Sequence, residues 1–209
     1  MKLLVIGASR GIGLGVVEKA LDKGHRVTAC SRHLYGSDVD HNHLQCCRAD
    51  VLDSFALQRV LPGHDAVVLC IGKEPSFNEV NLFSEGTRNL VEGMQQFGIT
   101  RLVVVTGIGV GDTKGHCGFF TDHLINPILM RTVNQDKERQ EAYVRHSSLD
   151  WTIVRPAQLT YGPETGQYKV ITELDGITAD CVSRADVAHF ITHQLDSEAY
   201  LYGTPMLTY

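Results

Sequence analysis

The chain has 209 residues, 43% of them hydrophobic, and its 19 Lys and Arg against 24 Asp and Glu leave a formal charge of −5. This balance, with no basic block anywhere, excludes a nucleic-acid binder that works by neutralising phosphates. Apolar runs such as Val67 to Ile71 are of strand length, well short of the ~20 residues that span a bilayer. The length suits one sizeable core, so a single α/β domain over residues 1–209 is expected. The opening apolar run has one lysine before it and a glycine loop after it, and so reads as a strand rather than a signal peptide. A cytoplasmic protein is expected, monomeric or a small homo-oligomer, with neither membrane nor nucleic acid as partner.

Lys2 to Ile6 forms the first expected strand, and Gly7-Ala8-Ser9-Arg10-Gly11-Ile12-Gly13 follows it directly. Helical spacing then begins, with Ile12, Val16, Val17, Ala20 and Leu21 on one face and Gly24 at the stop. Such a loop suits a pyrophosphate: glycines permit close backbone approach, and a helix start presents unpaired N–H groups and the positive end of its dipole. The implied ligand is a dinucleotide. A second strand, His25 to Cys30, runs into Ser31-Arg32. An acidic residue there would accept the ribose 2′-hydroxyl of NAD, whereas arginine can fork onto the 2′-phosphate of NADP. Arg10 can approach the same phosphate from the loop, so NADP(H) is favoured over NAD(H).

His33 to His43 reads as a polar surface connection, and Leu44 to Ala49 as the third strand, ending at Asp50-Val51 where this fold meets adenine. A helix starts at Asp53-Ser54, Pro62-Gly63 marks a turn, and Ala66 to Ile71 is the fourth strand. Its end places Ile71, Gly72 and Lys73 beside the cofactor, since ligands of an open parallel sheet lie along the carboxyl edge. Val80 to Phe97 is a helix closed by Gly98, and the fifth strand, Arg101 to Val105, delivers Thr106-Gly107 to the same edge. Gly107 to Gly118, with Phe119-Phe120-Thr121-Asp122-His123 after it, is expected to loop over the site as a lid. Pro127 opens a long helix to about His146 that carries Lys137, and Trp151 to Arg155 is the sixth strand.

Five strand–helix alternations specify a Rossmann-type, doubly wound parallel sheet with helices on both faces. Tyr168 to Leu174 and Ile177 to Val182 flank Asp175-Gly176, which reads as a small C-terminal hairpin. Ser183-Arg184-Ala185-Asp186 is a capping box for the last helix, and Met206 to Thr208 adds an edge strand. The six cysteines have no disulfide-like spacing and read as reduced thiols. No metal site is expected: adjacent Cys46 and Cys47 point to opposite faces of a strand, and His189 with His193 lacks a third ligand.

With these residues in view, the chain resembles the atypical short-chain dehydrogenase/reductases of the NAD(P)H-binding, NmrA-like group, which includes flavin reductases and biliverdin-IXβ reductases. The likeness rests on the glycine loop, Asp65-Ala66-Val67-Val68, Ser84-Glu85-Gly86-Thr87-Arg88-Asn89-Leu90-Val91, Asp150-Trp151-Thr152-Ile153-Val154-Arg155-Pro156 and Ser183-Arg184-Ala185-Asp186-Val187-Ala188. Two features depart from the group. The loop glycines follow the tighter dehydrogenase spacing, with Arg10 inside. The larger family also pairs a strand-end Ser or Thr with a Tyr four residues before a Lys; Thr106 and Lys137 match, but the tyrosine position is Val133.

Hydride reduction of a ketone charges its oxygen, and the lysine-acidified tyrosine normally supplies the proton. A flavin or extended tetrapyrrole delocalises that charge, so hydride transfer needs chiefly proximity in a dry pocket. The resemblance then implies that Lys137 steadies the nicotinamide ribose, that Thr106 hydrogen-bonds nicotinamide or substrate, and that Pro156-Ala157 borders the nicotinamide ring. Lys137 could instead be a solvated lysine paired with Glu141 one turn on. The leading expectation is an NADPH-dependent reductase of a planar conjugated acceptor. The alternatives are an NAD(P)H-binding sensor of NmrA type without turnover, and a sugar-nucleotide epimerase-like enzyme, against which the missing tyrosine and the short C-terminal region argue.

Overall fold

The structure is a computed structural model that describes residues 1–32, 39, 41–118, 121–125 and 128–209, with the main chain alone at 121 and 123. The expected 33–43 connection, the Phe119–His123 segment and Pro127 therefore lie wholly or partly outside the described residues.

The first half alternates as its hydrophobic pattern dictates: β1 Lys2–Ile6, α1 Gly11–Asp22, β2 Arg26–Ser31, β3 Leu44–Arg48, α2 Ser54–Val60, β4 Ala66–Leu69 and α3 Leu82–Gln96. The pattern continues through β5 Arg101–Val105, α4 Arg131–Arg145 and β6 Asp150–Pro156. Three short strands follow, β7 Gln158–Thr160, β8 Lys169–Ile171 and β9 Cys181–Ser183, then α5 Arg184–Gln194 and β10 Met206–Thr208. Eight strands build one sheet in the order β3-β2-β1-β4-β5-β6-β10-β8, parallel throughout except at β10–β8. Strand order reverses between β1 and β4, the switch point at which open α/β sheets bind ligands. No helix among the described residues is long and apolar enough to cross a membrane.

Both faces of the sheet are buried, so its central strands are apolar runs whose alternate residues serve different cores. Leu3 and Val5 face one core with Val16, Val17 and Ala20 of α1 and Val187, Ala188 and Ile191 of α5. Leu4 and Ile6 face the other with Leu57 of α2 and Leu90 and Met94 of α3. Each fully buried Leu or Val stabilises the fold by roughly 1.5–3 kcal/mol relative to exposure.

The C-terminal third differs from expectation. The hairpin around Asp175-Gly176 does not form: β8 pairs antiparallel with β10 (Ile171 opposite Met206), and β9 pairs parallel with β7 (Leu159 opposite Val182). A turn does occur, with Gly176 at φ +69° and the Ile177 N–H donating to the Leu174 carbonyl at 3.0 Å. Its flanks are drawn apart, β8 to β10, whose three residues are all buried, and β9 to β7. β10 accordingly lies inside the sheet, and β8 takes the edge where β10 was expected. The capping box is half realised. Ser183 accepts the Asp186 N–H at 2.9 Å, but its own N–H goes to the Tyr209 hydroxyl at 3.1 Å.

Candidate cofactor and active site

The glycine loop owes its shape to contacts that forbid side chains. Gly7 has φ +86°, and a Cβ on it would lie 2.2 Å from the carbonyl oxygen of Cys70; one on Gly13 would lie 2.2 Å from the Gly7 oxygen. The N–H groups of Gly7 and Ala8 both donate to the Cys30 carbonyl, at 2.9 and 3.2 Å, which fixes the loop to the end of β2. Side chains cap two other helices: Asp53 accepts from Ala56 at the start of α2, and Ser183 from Asp186 at the start of α5. At α1 the N-cap is Arg10, with no side-chain cap. The first-turn N–H groups of α1, beginning with Gly11, Ile12 and Gly13 beside Ser9, thus have no intrahelical acceptor, and they are donors of the kind that an anion completes.

Arg10 and Arg32 are exposed at this end of the sheet, and neither forms an ion pair with a described residue. Ser31 ends β2 and is half-buried. After β3, the Asp50 carboxylate accepts the Leu52 N–H at 3.0 Å and so holds its own turn. Val51 is buried under α3, where a Cβ on Gly86 would come within 2.6 Å of it. Beyond β4, Ile71 packs on the small cluster of Val80, Phe83 and Val133, and Gly72 and Lys73 are exposed.

The other half of the edge converges on Lys137. Its Nζ donates to the Thr106 carbonyl at 2.6 Å, and a Cβ on Gly107 would lie 3.3 Å from Nζ and 3.9 Å from the Pro156 carbonyl oxygen. Thr106, Gly107, Lys137 and Pro156 are therefore neighbours. Ala157 adjoins them, its N–H donating to the Leu207 carbonyl of β10 at 2.9 Å. Burial pulls the Lys137 ammonium down to about 8, against the opposing charge of Glu141. The Phe83 ring centroid lies 5.4 Å from Nζ, and Val133, at the missing tyrosine's position, is 1% exposed. Buried Asp136 accepts the Phe83 N–H at 2.8 Å, capping α3 from α4. One turn further along α4, the Gln140 amide donates to the Thr87 hydroxyl of α3 at 3.0 Å, a second polar tie between the two helices.

Beneath this cluster lies a network that the sequence pattern did not reveal. The Thr106 hydroxyl donates to Glu141 Oε1 at 2.9 Å, so toward a ligand it has acceptor capacity only. Arg155, 1% exposed, forks onto Glu141 through Nε at 3.0 Å and Nη2 at 2.6 Å, and its Nη1 pairs with Asp112. Burial alone would lower the Arg155 pKa, but the two carboxylates outweigh it and raise the value. Lys137 is thus not the solvated partner of Glu141: its proton goes to a main-chain carbonyl, and Glu141 serves Thr106 and Arg155. The visible signal was a charged residue inside the apolar strand Trp151–Pro156. The expected lid is anchored over residues 107–118, by Asp112 to Arg155, by Lys114 to Glu138 at 2.5 Å, and by His116 to the Ile177 carbonyl at 2.7 Å. No group of three His, Cys, Asp or Glu able to hold a metal occurs among the described residues.

A sequence model of the NAD(P)H-binding family matches residues 7–198, from the first loop glycine to beyond α5. The chain belongs to that family. This NAD(P)H-binding protein is 30% identical to an uncharacterised chloroplastic protein of Arabidopsis thaliana, across 94% of this chain and 72% of that one. It is 29% identical to the uncharacterised YwnB of Bacillus subtilis, across 94% and 92%. Among solved structures, ChuY of Escherichia coli O157:H7, described as an anaerobilin reductase, superposes with a TM-score of 0.81 at 23% identity, covering 100% of this chain and 97% of that one. A short-chain dehydrogenase/reductase of Veillonella parvula in complex with NADP superposes with a TM-score of 0.83 at 19% identity, covering 100% and 94%. At these identities the structures share the Rossmann-type fold.

Proposed function

We propose that this protein is a reductase that uses NADPH to deliver hydride to a planar conjugated acceptor such as a flavin, a quinone or a linear tetrapyrrole. The observation that carries this reading is Val133. Where a ketone reductase needs a phenol beside its lysine, this chain has a buried valine packed with Val80 and Phe83. An apolar wall suits a flat ring system that spreads incoming charge, and does not suit a carbonyl that needs a proton at once.

The glycine cradle and uncapped α1 fit a dinucleotide pyrophosphate, with Gly7, Ala8, Ser9, Gly11, Ile12 and Gly13 around it. Arg10, Ser31 and Arg32 would receive the 2′-phosphate, while Asp50, Val51, Ile71, Gly72 and Lys73 border the adenosine side and the switch point. NADPH, when bound, supplies the hydride from its nicotinamide. Lys137 would hold the nicotinamide ribose, Thr106 would accept a hydrogen bond, and Gly107, Pro156 and Ala157 would leave room for the ring. The anaerobilin reductase among the structural neighbours supports a tetrapyrrole as one acceptor to try.

The test is NADPH oxidation by purified protein with FMN, a quinone and biliverdin, alongside calorimetric binding of NADPH and NADH. Turnover with at least one acceptor is expected. Tight NADPH binding without turnover across the panel would replace the reductase with a non-catalytic sensor, the reading that Val133 also permits. Absence of affinity for both nucleotides would overturn the two readings together.

A further inference from the structure

The close crossing of α1 and α5 brings a third arginine to the phosphate loop. A Cβ on Gly15 would lie 2.9 Å from the Ala188 Cβ, so the two helices approach to a separation that only a glycine permits. One turn earlier on each helix, the same crossing sets Arg184 against Gly11, the first residue of α1. A Cβ on Gly11 would meet Arg184 Cδ at 3.6 Å and Nε at 3.8 Å. The amino ends of the two helices therefore lie side by side.

Arg184 is held in place without being neutralised. Its Nη1 donates to the Thr160 carbonyl at 3.0 Å, and its guanidinium stacks on the Tyr161 ring, 4.1 Å from the centroid. No carboxylate among the described residues pairs with it. Nearby acids are engaged elsewhere: Glu164 pairs with Lys19, and Asp186 accepts the Thr165 and Gly166 N–H groups at 2.9 and 2.8 Å. These bonds pin the segment after β7 across α1, leaving Tyr161 90% exposed except where Arg184 covers it. A planar cation fixed by a ring and a carbonyl, with further N–H groups to donate, is pre-organised for a forked bond to phosphate oxygens.

We propose that Arg184 is a cofactor-binding residue that grips the pyrophosphate at the amino end of α1, with Tyr161 as its stacking platform. This rests on the NADPH-binding reading above and adds a role distinct from that of Arg10 and Arg32. A pyrophosphate grip is shared by NADPH and NADH, whereas a 2′-phosphate grip is not.

The test measures NADPH and NADH affinity by calorimetry, and unliganded melting temperature, for the full-length wild type, Arg184→Met, Arg184→Lys and Tyr161→Leu. Arg184→Met should weaken both nucleotides by the same factor, about ten-fold or more for the loss of a charge-assisted bond. Arg184→Lys should recover part of the loss, and Tyr161→Leu should give a smaller loss, again equal for the two nucleotides. Unchanged affinity in Arg184→Met, with or without a lower melting temperature, would overturn the proposal and leave Arg184 a structural clamp. A loss confined to NADPH would also overturn it, by assigning the 2′-phosphate instead. Failure of the wild type to bind either nucleotide would sink the underlying reading, a result distinguishable from both.

Discussion

The Thr106 hydroxyl and the Glu141 carboxylate are joined at 2.9 Å, and this bond ties the edge of the site to the buried Glu141–Arg155 ion pair. Removing the carboxylate charge leaves a buried guanidinium with Asp112 alone as its acidic partner. Glu141→Gln should therefore destabilise the protein by about 3 kcal/mol, the scale expected for breaking a buried pair from one side. Urea denaturation reads the effect as a lower midpoint at unchanged slope. A change within about 0.5 kcal/mol, typical of surface substitutions, would show that the network does not hold this edge.

Lys137 gives a pH prediction with a defined sign. Burial lowers its pKa from 10.5 to about 8, so between those values the unfolded chain binds the proton that the folded one has released. Stability from this group should rise as pH climbs through that window, the reverse of a lysine that gains a partner on folding. Turnover should move the other way, falling above about pH 8 as the cation that holds the ribose is lost. Lys137→Met should lower turnover about ten-fold, the scale of one lost charge-assisted bond, and remove that pH dependence. An unaltered pH profile in the variant would deny Lys137 the role.

Much of this arrangement was legible before the structure, for physical reasons that also mark where legibility stops. The glycine loop could be read because its spacing belongs to one strand–loop–helix unit in which Gly13 answers to Gly7, although Gly7 itself answers to Cys70 beyond the neighbouring strand. The parallel strands could be read because burial on both faces demands continuous apolar runs. Pairing among β7 to β10 could not. The Asp175-Gly176 turn is real, but β8 pairs with β10 in the main sheet and β9 with β7 in a separate two-stranded one, pairings that no local pattern encodes. Arg155 was read only as the end of an apolar strand, and its acceptors Glu141 and Asp112 lie 14 and 43 residues away in sequence. Arg184 looked like an ordinary first residue of a helix, and its place beside Gly11 follows only from the Gly15–Ala188 crossing.

Asp186 should govern part of the acid stability. Burial would raise its pKa, but donors from Tyr209, Gly166 and Thr165 outweigh that and hold it at about 2. A carboxylate with a depressed folded value contributes stability that is complete above its unfolded value of about 3.9 and is lost as pH falls toward the folded one. Unfolding followed from about pH 5 to 2 should therefore show a loss, between about pH 4 and 2, that Asp186→Asn lacks. At neutral pH, Asp186→Asn should cost about 2 kcal/mol by turning an amide toward groups that donate. Equal acid profiles for the two proteins would reject the assignment.

Arg32 separates the two nucleotides. It stands exposed just beyond β2, without an ionic partner among the described residues, where a ribose-binding carboxylate would otherwise select NADH. Arg32→Ala should weaken NADPH by about ten-fold or more, one charge-assisted bond, and leave NADH within about two-fold. Arg32→Asp should go further and favour NADH, because a carboxylate accepts the free 2′-hydroxyl and repels the 2′-phosphate. Equal losses for NADPH and NADH in Arg32→Ala would reject the 2′-phosphate role and leave Arg10 as the remaining candidate. Taken with the Arg184 variants, the NADPH-to-NADH ratio assigns each arginine to its own phosphate, since a contact at the 2′ position changes that ratio and one at the shared pyrophosphate does not.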